Sequence, residues 1–541
     1  MRDTKLEREN FVGWDNLTHK YGHHYAFHLE LDHISRILSE KMNDTLHSFL
    51  DFNKKEIINR ILQIVISSIY SEFSKFYLEL CLKNKCYCKL DKNFFEFSEY
   101  KIDLRKKKIS LRTFFRFKLL LKLFKNFFET QYIFLYKIFF SRKRNGKVAL
   151  FFESIPNFAF FDIRNDKSFV NFIKDFPIDE FSKIENLYVE SSTEKIKSKS
   201  VKIKYHKNIL FEAICHLPKS LKIISIYFFK HWQNFFKILI LTFKNPVLLL
   251  IQKDLVLSAL YQVLNDRKII NLIFYTNSIQ FNIPLNFTNQ SNKYWRSIML
   301  WYSSGCDYFS YDILPLDLFK VRMQYIRFDK TYVWSKSQAE RLKEGINQIN
   351  YSICPPITFY MPREKLETNI TSKKYILIFD ETPHLDKITQ MHYGTRYKYW
   401  DINTSRIFLE DIITLVDLIN KDLTEPFNLV LKQKRLVRKG HHHPDYEKVL
   451  DIGKSKGLKI ANFNCNLFEL INKSSLSIIS PFASPAHICV FMKKKSIYYD
   501  PKNEISFIEN DHKNIQFIKG KKRLQNYFFN EIYQKTLLKN T

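Results

Sequence analysis

Hydrophobic positions change their spacing along this chain of 541 residues, and the change divides it. Up to about residue 145 the apolar residues recur at helical spacing, in long stretches around 57–82 and 111–140. From Lys147 they come instead as short unbroken runs that end at polar turns. Val148-Ala-Leu-Phe-Phe-Glu-Ser is the first, and others lie at 186–191, 271–276 and 331–334, the last running into the helix-like SQAERLKEGI. Helical patterns separate these runs, so the block from 146 to 360 reads as α/β. The prolines of CPPITFYMPREKLET (354–368) forbid regular structure and mark a linker, placed at 361–371 between the blocks. A second α/β block, 372–541, opens with Tyr375-Ile-Leu-Ile-Phe-Asp380. It continues with a helix at 404–420 capped by Thr404 or Ser405, a strand at 427–432 and a helix near 444–456. A strand at 458–461, a helix at 466–473 and a basic helical tail at 521–541 complete it.

Residues 475–501, SLSIISPFASPAHICVFMKKKSIYYDP, give the clearest unit. An apolar run to Ile479 stops at Ser480-Pro481-Phe482-Ala483-Ser484-Pro485, a helical pattern follows, and Ser496 to Tyr499 form a second run closed by Asp500-Pro501. That is the strand, turn, helix and strand of a parallel sheet, whose ligands bind at the carboxyl ends of the strands. A helix start there offers unpaired N–H groups to a phosphate. Ser and Pro at that position also suit an ordinary capped helix, so spacing alone leaves both readings open.

Charge changes the picture locally more than globally. The formal net charge is +31, but Lys, Ile, Asn, Phe and Tyr are all abundant while Gly and Pro are scarce, as A/T-rich coding would produce. Residues 101–147 hold fifteen Lys or Arg against Asp103 and Glu129. Within them Phe114, Phe117, Leu121, Phe124 and Phe128 share one helical face, opposite Lys118, Lys122 and Lys125. Such a helix fits an anionic membrane surface, and equally a helix packed on the next domain. Nucleic acid is not an expected partner, because no zinc-finger, RNA-recognition or helix-turn-helix pattern accompanies the charge.

The region 222–251 is broken by four lysines and is not expected to span a membrane; the N-terminus lacks the apolar core of a signal peptide. The expected location is cytoplasmic, with peripheral contact at the inner face of the membrane. Eight scattered cysteines fit reduced thiols; Cys81, Cys86 and Cys88 cluster without a second pair at zinc spacing.

Absent motifs narrow the chemistry. There is no G-x-x-x-x-G-K-S/T, no G-x-G-x-x-G and no G-x-S-x-G. What remains is a set of polar loops that alternating strands and helices bring to one sheet edge. They are Asp380-Glu381-Thr382-Pro383-His384, Lys432-Gln433-Lys434-Arg435, His441-His442-His443-Pro444, and Ser480 to Ser484. Lys432, Lys434 and Arg435 would face an anion held at the serine turn, so a diphosphate could be bound without a metal. Three adjacent histidines cannot all ligate one ion, and the N-terminal group of His19, His23, His24, His28 and His33 reads as a helix-surface coincidence.

Residues 476–501 resemble the signature of the polysaccharide-biosynthesis "PFTS motif" family, a Pro-Phe-Thr-Ser turn, a helix and a strand ending Tyr-Asp-Pro. Pro481, Phe482, Ser484, Tyr499, Asp500 and Pro501 match, whereas Ala483 stands where the family has Thr. The likeness extends through Asp380 and Pro383, the Lys432-x-Lys434-Arg435 run, Trp301-Tyr302-Ser303 and Tyr332-Val333-Trp334, covering about 270–510. His443-Pro444 followed by Ser480 and Ser484 is also similar to the His-Pro and Ser-rich motifs of bacterial sialyltransferases, which touch the phosphate of a CMP-sugar.

The family likeness implies a GT-B-like pair of Rossmann-like domains facing a cleft, to which the apolar spacing adds a mainly helical extension over 1–145. It also implies a glycosyltransferase of bacterial surface-polysaccharide assembly. The donor would be a nucleotide-sugar, for which the His-Pro likeness suggests a CMP link, and the acceptor a glycan or a lipid-linked acceptor. The expected donor-binding residues are Asp380, His384, Lys432, Lys434, Arg435, Ser480, Phe482, Ser484 and Asp500. His443 is the expected donor of a proton to the leaving nucleotide, Glu153 the expected general base, and no metal or other cofactor is expected. A non-catalytic assembly protein and a transferase of polyol phosphate from a CDP-linked donor remain open as alternatives.

Overall fold

In the computed structural model, two separate parallel sheets form where short apolar runs alternate with amphipathic helices. The structure describes residues 35, 38–40, 52, 54–67, 111–152, 168–176, 178, 181–190, 202–206, 208–276, 284–288, 293–301, 308–311, 328–345, 350–357, 360, 361, 364, 375–386, 399–463, 465–481, 483–509 and 515–533. Glu153, Phe482, the N-terminal histidine group and the cluster of Cys81, Cys86 and Cys88 lie outside the described residues.

The first sheet contains β1 (Val148–Phe152), β2 (Asn186–Glu190), β3 (Lys202–His206), β4 (Ile270–Thr276), β5 (Arg296–Leu300), β7 (Lys330–Val333) and β8 (Tyr351–Ile353). Its spatial order is β3-β2-β1-β4-β5-β7-β8, with every neighbouring pair parallel. The second sheet contains β9 (Tyr375–Phe379), β10 (Asn428–Lys432), β11 (Lys459–Ile460), β12 (Ser474–Ile479), β13 (Ser496–Asp500) and β15 (Ile515–Lys519). Its order, β11-β10-β9-β12-β13-β15, is again parallel throughout. These two doubly wound sheets make the protein α/β with a GT-B-like architecture. Parallel sheets are covered on both faces, which is why Val148 to Phe151 and Ile376 to Phe379 are continuous apolar runs with scarcely any exposure.

Helices supply that cover. In the first half they include α1 (Lys54–Ser67), α2 (Leu111–Phe140), α3 (Ser168–Asp175), α4 (Leu221–Lys244), α5 (Gln252–Asp266) and α6 (Lys336–Gly345). The second half has α7 (Ile402–Asn420), α8 (Asp445–Ser455), α9 (Leu467–Asn472), α10 (Pro485–Phe491) and α11 (Lys521–Tyr527), followed by a further helical turn to Tyr533. The cap of α7 is Asp401, whose carboxylate accepts from Thr404 N at 2.6 Å, and not Thr404 or Ser405. The carboxylate reaches back over the first turn, while Ser405 is already inside the helix and donates to the Glu381 carbonyl at 3.2 Å.

One stretch among the described residues, Pro246–Asp266, is apolar and long enough to cross a membrane; 83% of its most apolar 18 residues are buried within the protein. It is the core element on which α2 and α4 rest. Of the two surroundings open to the Phe117, Leu121, Phe124 and Phe128 face of α2, packing on the next domain is not the one found. Leu123, Phe127, Phe134 and Ile138 are buried, whereas Phe117, Leu121, Phe124 and Phe128 are exposed. The C-terminal end of α2 is fixed electrostatically. Lys137 and Arg144 both pair with the buried Glu212, at 2.5 and 2.8 Å, and Arg144 also donates to the Tyr188 hydroxyl at 2.9 Å. Gly146 then turns the chain into β1 at φ +94°, where a Cβ would strike the Glu185 carboxylate.

The expected linker is pinned. Cys354, Ile357, Tyr360 and Met361 are buried in a core shared by both halves. The Tyr360 ring meets Phe172 and Phe176 of the first half and Phe468 and Phe491 of the second, at 5.6 to 6.0 Å. Its hydroxyl donates to Asp175 at 2.6 Å. A second tie is the antiparallel ladder between β6 (Tyr308–Tyr311) and β14 (Ile505–Glu509), one strand from each half.

Replacing Tyr360 by Ala is expected to cost about 3–5 kcal/mol and to split one unfolding transition into two, as the halves lose their shared core. Tyr360→Phe should cost only about 1 kcal/mol and keep the single transition. Calorimetry distinguishes them; an unchanged melt for the Ala variant would mean that the halves are coupled elsewhere.

Candidate functional site

The strand order of the second sheet fixes where a ligand can sit. The chain leaves β9 towards β10 on one side, and β12 continues the sheet on the other, so the loops after β9 and β12 diverge and open a crevice. The two loops start side by side, with Ser480 N donating to the Phe379 carbonyl at 2.8 Å. The first half approaches this edge: Trp334, just after β7, lies 6.4 Å from the ring of His487 on α10, and both are buried.

Asp380, the first residue after β9, is almost completely buried. Its carboxylate accepts from Lys434 N at 3.3 Å and from the Tyr446 hydroxyl on α8. Burial pushes its pKa up to about 7; the Glu381 charge adds to the rise, while the Lys434 N–H and the Lys432 and Lys434 ammoniums oppose it. Asp380 is therefore a positioning group that ties three elements together, rather than a group facing a ligand.

Glu381 was not singled out by sequence. It is buried and takes the Lys434 ammonium on Oε1, while its Oε2 has no hydrogen-bond partner. A second carboxylate in the loop after a strand at the order reversal is the signal that could have found it.

The next residues knit the loops further. Thr382 accepts from Arg435 N at 3.0 Å and donates to the Arg435 carbonyl at 3.2 Å. His384 bridges His442 in antiparallel fashion, Leu385 N donates to the His441 carbonyl, and His443 N donates to the Pro383 carbonyl. Three of the four loops predicted to meet at one edge are thus joined, 441–443 to 380–384 by backbone bonds and 432–435 to 380–384 through the Asp380 and Thr382 side chains.

Their cations are in unequal states. Lys432 is buried, donates to the Gln433 carbonyl at 3.1 Å and sits 4.5 Å from the centre of the Phe463 ring; burial lowers its pKa, against the opposing effects of Cys465 and Asp380. Lys434 is neutralised by Glu381. Arg435 is exposed, with a guanidinium nitrogen 3.4 Å from His384 Nε2 and no carboxylate partner among the described residues. Of the three, it is the cation placed to meet an anion.

Two of the histidines accept from backbone N–H groups of their own loop. His443 Nδ1 accepts from Asp445 N at 3.2 Å, which leaves the ring proton on Nε2. His442 Nδ1 accepts from Arg438 N at 2.8 Å; burial lowers its pKa, and the neighbouring Arg435, His441 and Arg438 lower it further.

On the other side of the crevice, Ser480 is buried and shares a 3.0 Å hydrogen bond with Tyr399. Ala483 is also buried, and its carbonyl accepts from Tyr498 at 3.2 Å. The residue that departs from the Pro-Phe-Thr-Ser pattern therefore sits in the shared core, not on the open edge. Ser484 begins α10 without using its hydroxyl as a cap. Asp500 does not face a ligand: it is fully buried and accepts from Lys502 N at 3.1 Å and Ile505 N at 2.8 Å, closing its own turn. A strand-end aspartate followed by Pro and Asn suits a turn of this kind. Among the described residues no group of three or more His, Cys, Asp or Glu is arranged to hold a metal.

Two doubly wound domains with polar loops gathered at one order reversal define a protein of the GT-B-like class. The chain belongs to the polysaccharide biosynthesis PFTS motif protein family, which matches residues 233–528 and so extends past both ends of the likeness read from sequence. No curated protein matches it.

Solved structures with a similar arrangement are remote in sequence. A variant of the wall teichoic acid polymerase TagF soaked with CDPG is 10% identical, covers 78% of this chain and 91% of its own, and has a TM-score of 0.39. OtsA without ligand is 8% identical over 65% and 84%, with a TM-score of 0.32. UGT2 of Phytolacca americana, complexed with UDP-2fluoro-glucose and pterostilbene, is 9% identical over 72% and 84%, also with a TM-score of 0.32.

Asp380 generates a signed pH dependence. Its folded pKa, about 7, lies above the ordinary 3.8, so the folded state keeps a proton that the unfolded chain has released. Stability from this group is complete below pH 4 and is lost as pH rises to 7. The stability of wild type relative to Asp380→Asn should fall by about 1.4 kcal/mol per pH unit within that window and level off above it. Urea unfolding at a series of pH values measures this; parallel curves for the two proteins would refute the assignment.

Proposed function

We propose that the protein is a glycosyltransferase of bacterial surface-polysaccharide biosynthesis, using a nucleotide-activated sugar and acting at the inner face of the cytoplasmic membrane. The observation that carries this reading is the joining of the 380–384, 432–435 and 441–443 loops beside Ser480 at the order reversal, in a chain of a polysaccharide biosynthesis family. The second half holds the donor, with Arg435 and the hydroxyl of Ser484 meeting its phosphates. Asp380, Glu381 and Tyr446 hold the loop that carries Arg435 in place.

In the transfer step an acceptor hydroxyl attacks the anomeric carbon as the bond from that carbon to the phosphate oxygen breaks. The electron pair leaves with the nucleotide. The Nε2–H of His443 donates a hydrogen bond to the departing phosphate, and Arg435 stabilises its charge. The first half presents a glycan or lipid-linked acceptor, with Glu153 after β1 as the general base.

A thermal-shift screen with UDP, GDP, CMP, CDP and their sugars tests the reading. One nucleotide class at about a hundred times its Kd should stabilise the protein by about 2.7 kcal/mol. The double variant Arg435→Ala with Ser484→Ala should lose most of that shift while melting normally without ligand. No shift with any nucleotide, or an undiminished shift in the variant, would overturn the proposal.

A further inference from the structure

The two longest helices leave one side uncovered. α2 and α4 run antiparallel against each other, with Phe134 on Tyr227, Phe127 on His231 and Phe124 near Phe235, at 3.7, 4.4 and 5.3 Å. Both rest on α5. On their outer side, α2 exposes Phe117, Leu121, Phe128, Tyr132 and Tyr136 at successive turns. α4 exposes Phe229, Trp232, Phe236, Ile240 and Phe243 in the same way; Phe229 and Phe243 are 71% and 73% exposed. Trp232 packs edge-on against Phe127, whose ring in turn lies 5.2 Å from that of Phe128, so the two rows meet across the seam. A continuous apolar surface of this kind is unusual on a soluble protein and marks a docking site.

Charge decides the occupant. The sequence of α2 carries six Lys or Arg and the single acid Glu129, and that of α4 carries four Lys and no acid. Lys122, Lys125 and Lys222 are exposed beside the apolar rows. A second copy of the chain would bring the same cations face to face, which like-charge repulsion opposes. An anionic bilayer complements both features: acyl chains take the Phe and Leu side chains, headgroup phosphates take the lysines, and Trp and Tyr suit the boundary. The inner faces of both helices are committed to the protein core, so the helices lie along a bilayer and do not cross it.

We propose that the outer faces of α2 and α4 form one surface that seats the protein on an anionic lipid bilayer. This widens the membrane contact expected from residues 101–147 alone, and it does not rest on the transfer reaction proposed above.

Flotation of the full chain with phosphatidylcholine vesicles, with and without phosphatidylglycerol, is the test. Wild type should float with the anionic vesicles and much less with phosphatidylcholine alone. The triple variant Phe229→Glu, Trp232→Glu and Phe236→Glu should bind at least about tenfold less, because a charge at each position opposes insertion. Its melting temperature and any nucleotide-induced shift should stay as in wild type, so failure of docking is separable from failure of nucleotide binding.

Quenching of tryptophan emission by brominated lipid gives a readout without destabilising charges, and Trp232→Phe should remove part of it. Absence of wild-type flotation, undiminished flotation of the triple variant, or quenching unaffected by Trp232→Phe would each overturn the proposal. So would a wild-type dimer in solution that the triple variant dissociates, since the surface would then be a contact between copies.

Discussion

A parallel sheet needs cover on both faces and a crossover to reach each new strand, and this demand organises the protein. It explains why strands such as β1 and β9 are apolar without interruption and why helices intervene between nearly all of them. It also forces the crossovers to fill both sides of each sheet, so the strand order must reverse somewhere. In the second sheet the reversal falls between β9 and β12. The crevice is thus a by-product of covering the sheet, and evolution has only to decorate the loops around it.

The decoration is internally strained in its electrostatics. Asp380, Glu381 and Lys432 are removed from water, and each pairing has to offset the cost of that removal. The outcome is a scaffold of buried charges beneath exposed ones: Asp380 and Glu381 hold Lys434 and the backbone around it, and Arg435 is left facing outward. Positioning by buried partners of this sort keeps a cation in place before a ligand arrives, which lowers the reorganisation needed on binding.

How much of this was legible in the sequence follows from burial. β1, β4, β9 and the β12–α10–β13 unit stood out because both faces of their strands are covered. β3 (Lys-Ile-Lys-Tyr-His) and β8 (Tyr-Ser-Ile) did not, because they are edge strands that keep polar residues. The amphipathic reading of α2 found a real apolar face and left its surroundings open between a membrane and the next domain. That helix is apolar on two sides, and periodicity does not say which side is covered. The gathering of the polar loops was readable because it depends on topology alone. The fates of individual groups were not: Asp380 is saturated by Tyr446, far along the chain, and Asp500 by the N–H groups of its own turn.

Among the described residues, the Tyr360 wedge and the β6–β14 ladder are two of the places that fasten the halves to each other. A rigid body held to another at two points keeps one easy freedom, a swing about the line that joins them. A rotation about that line would open the crevice like a door. Groups close to that line keep their neighbours through the movement, while those far from it travel most. A swing of this kind changes the width of the crevice without breaking the bonds inside the second half, those around Arg435 among them.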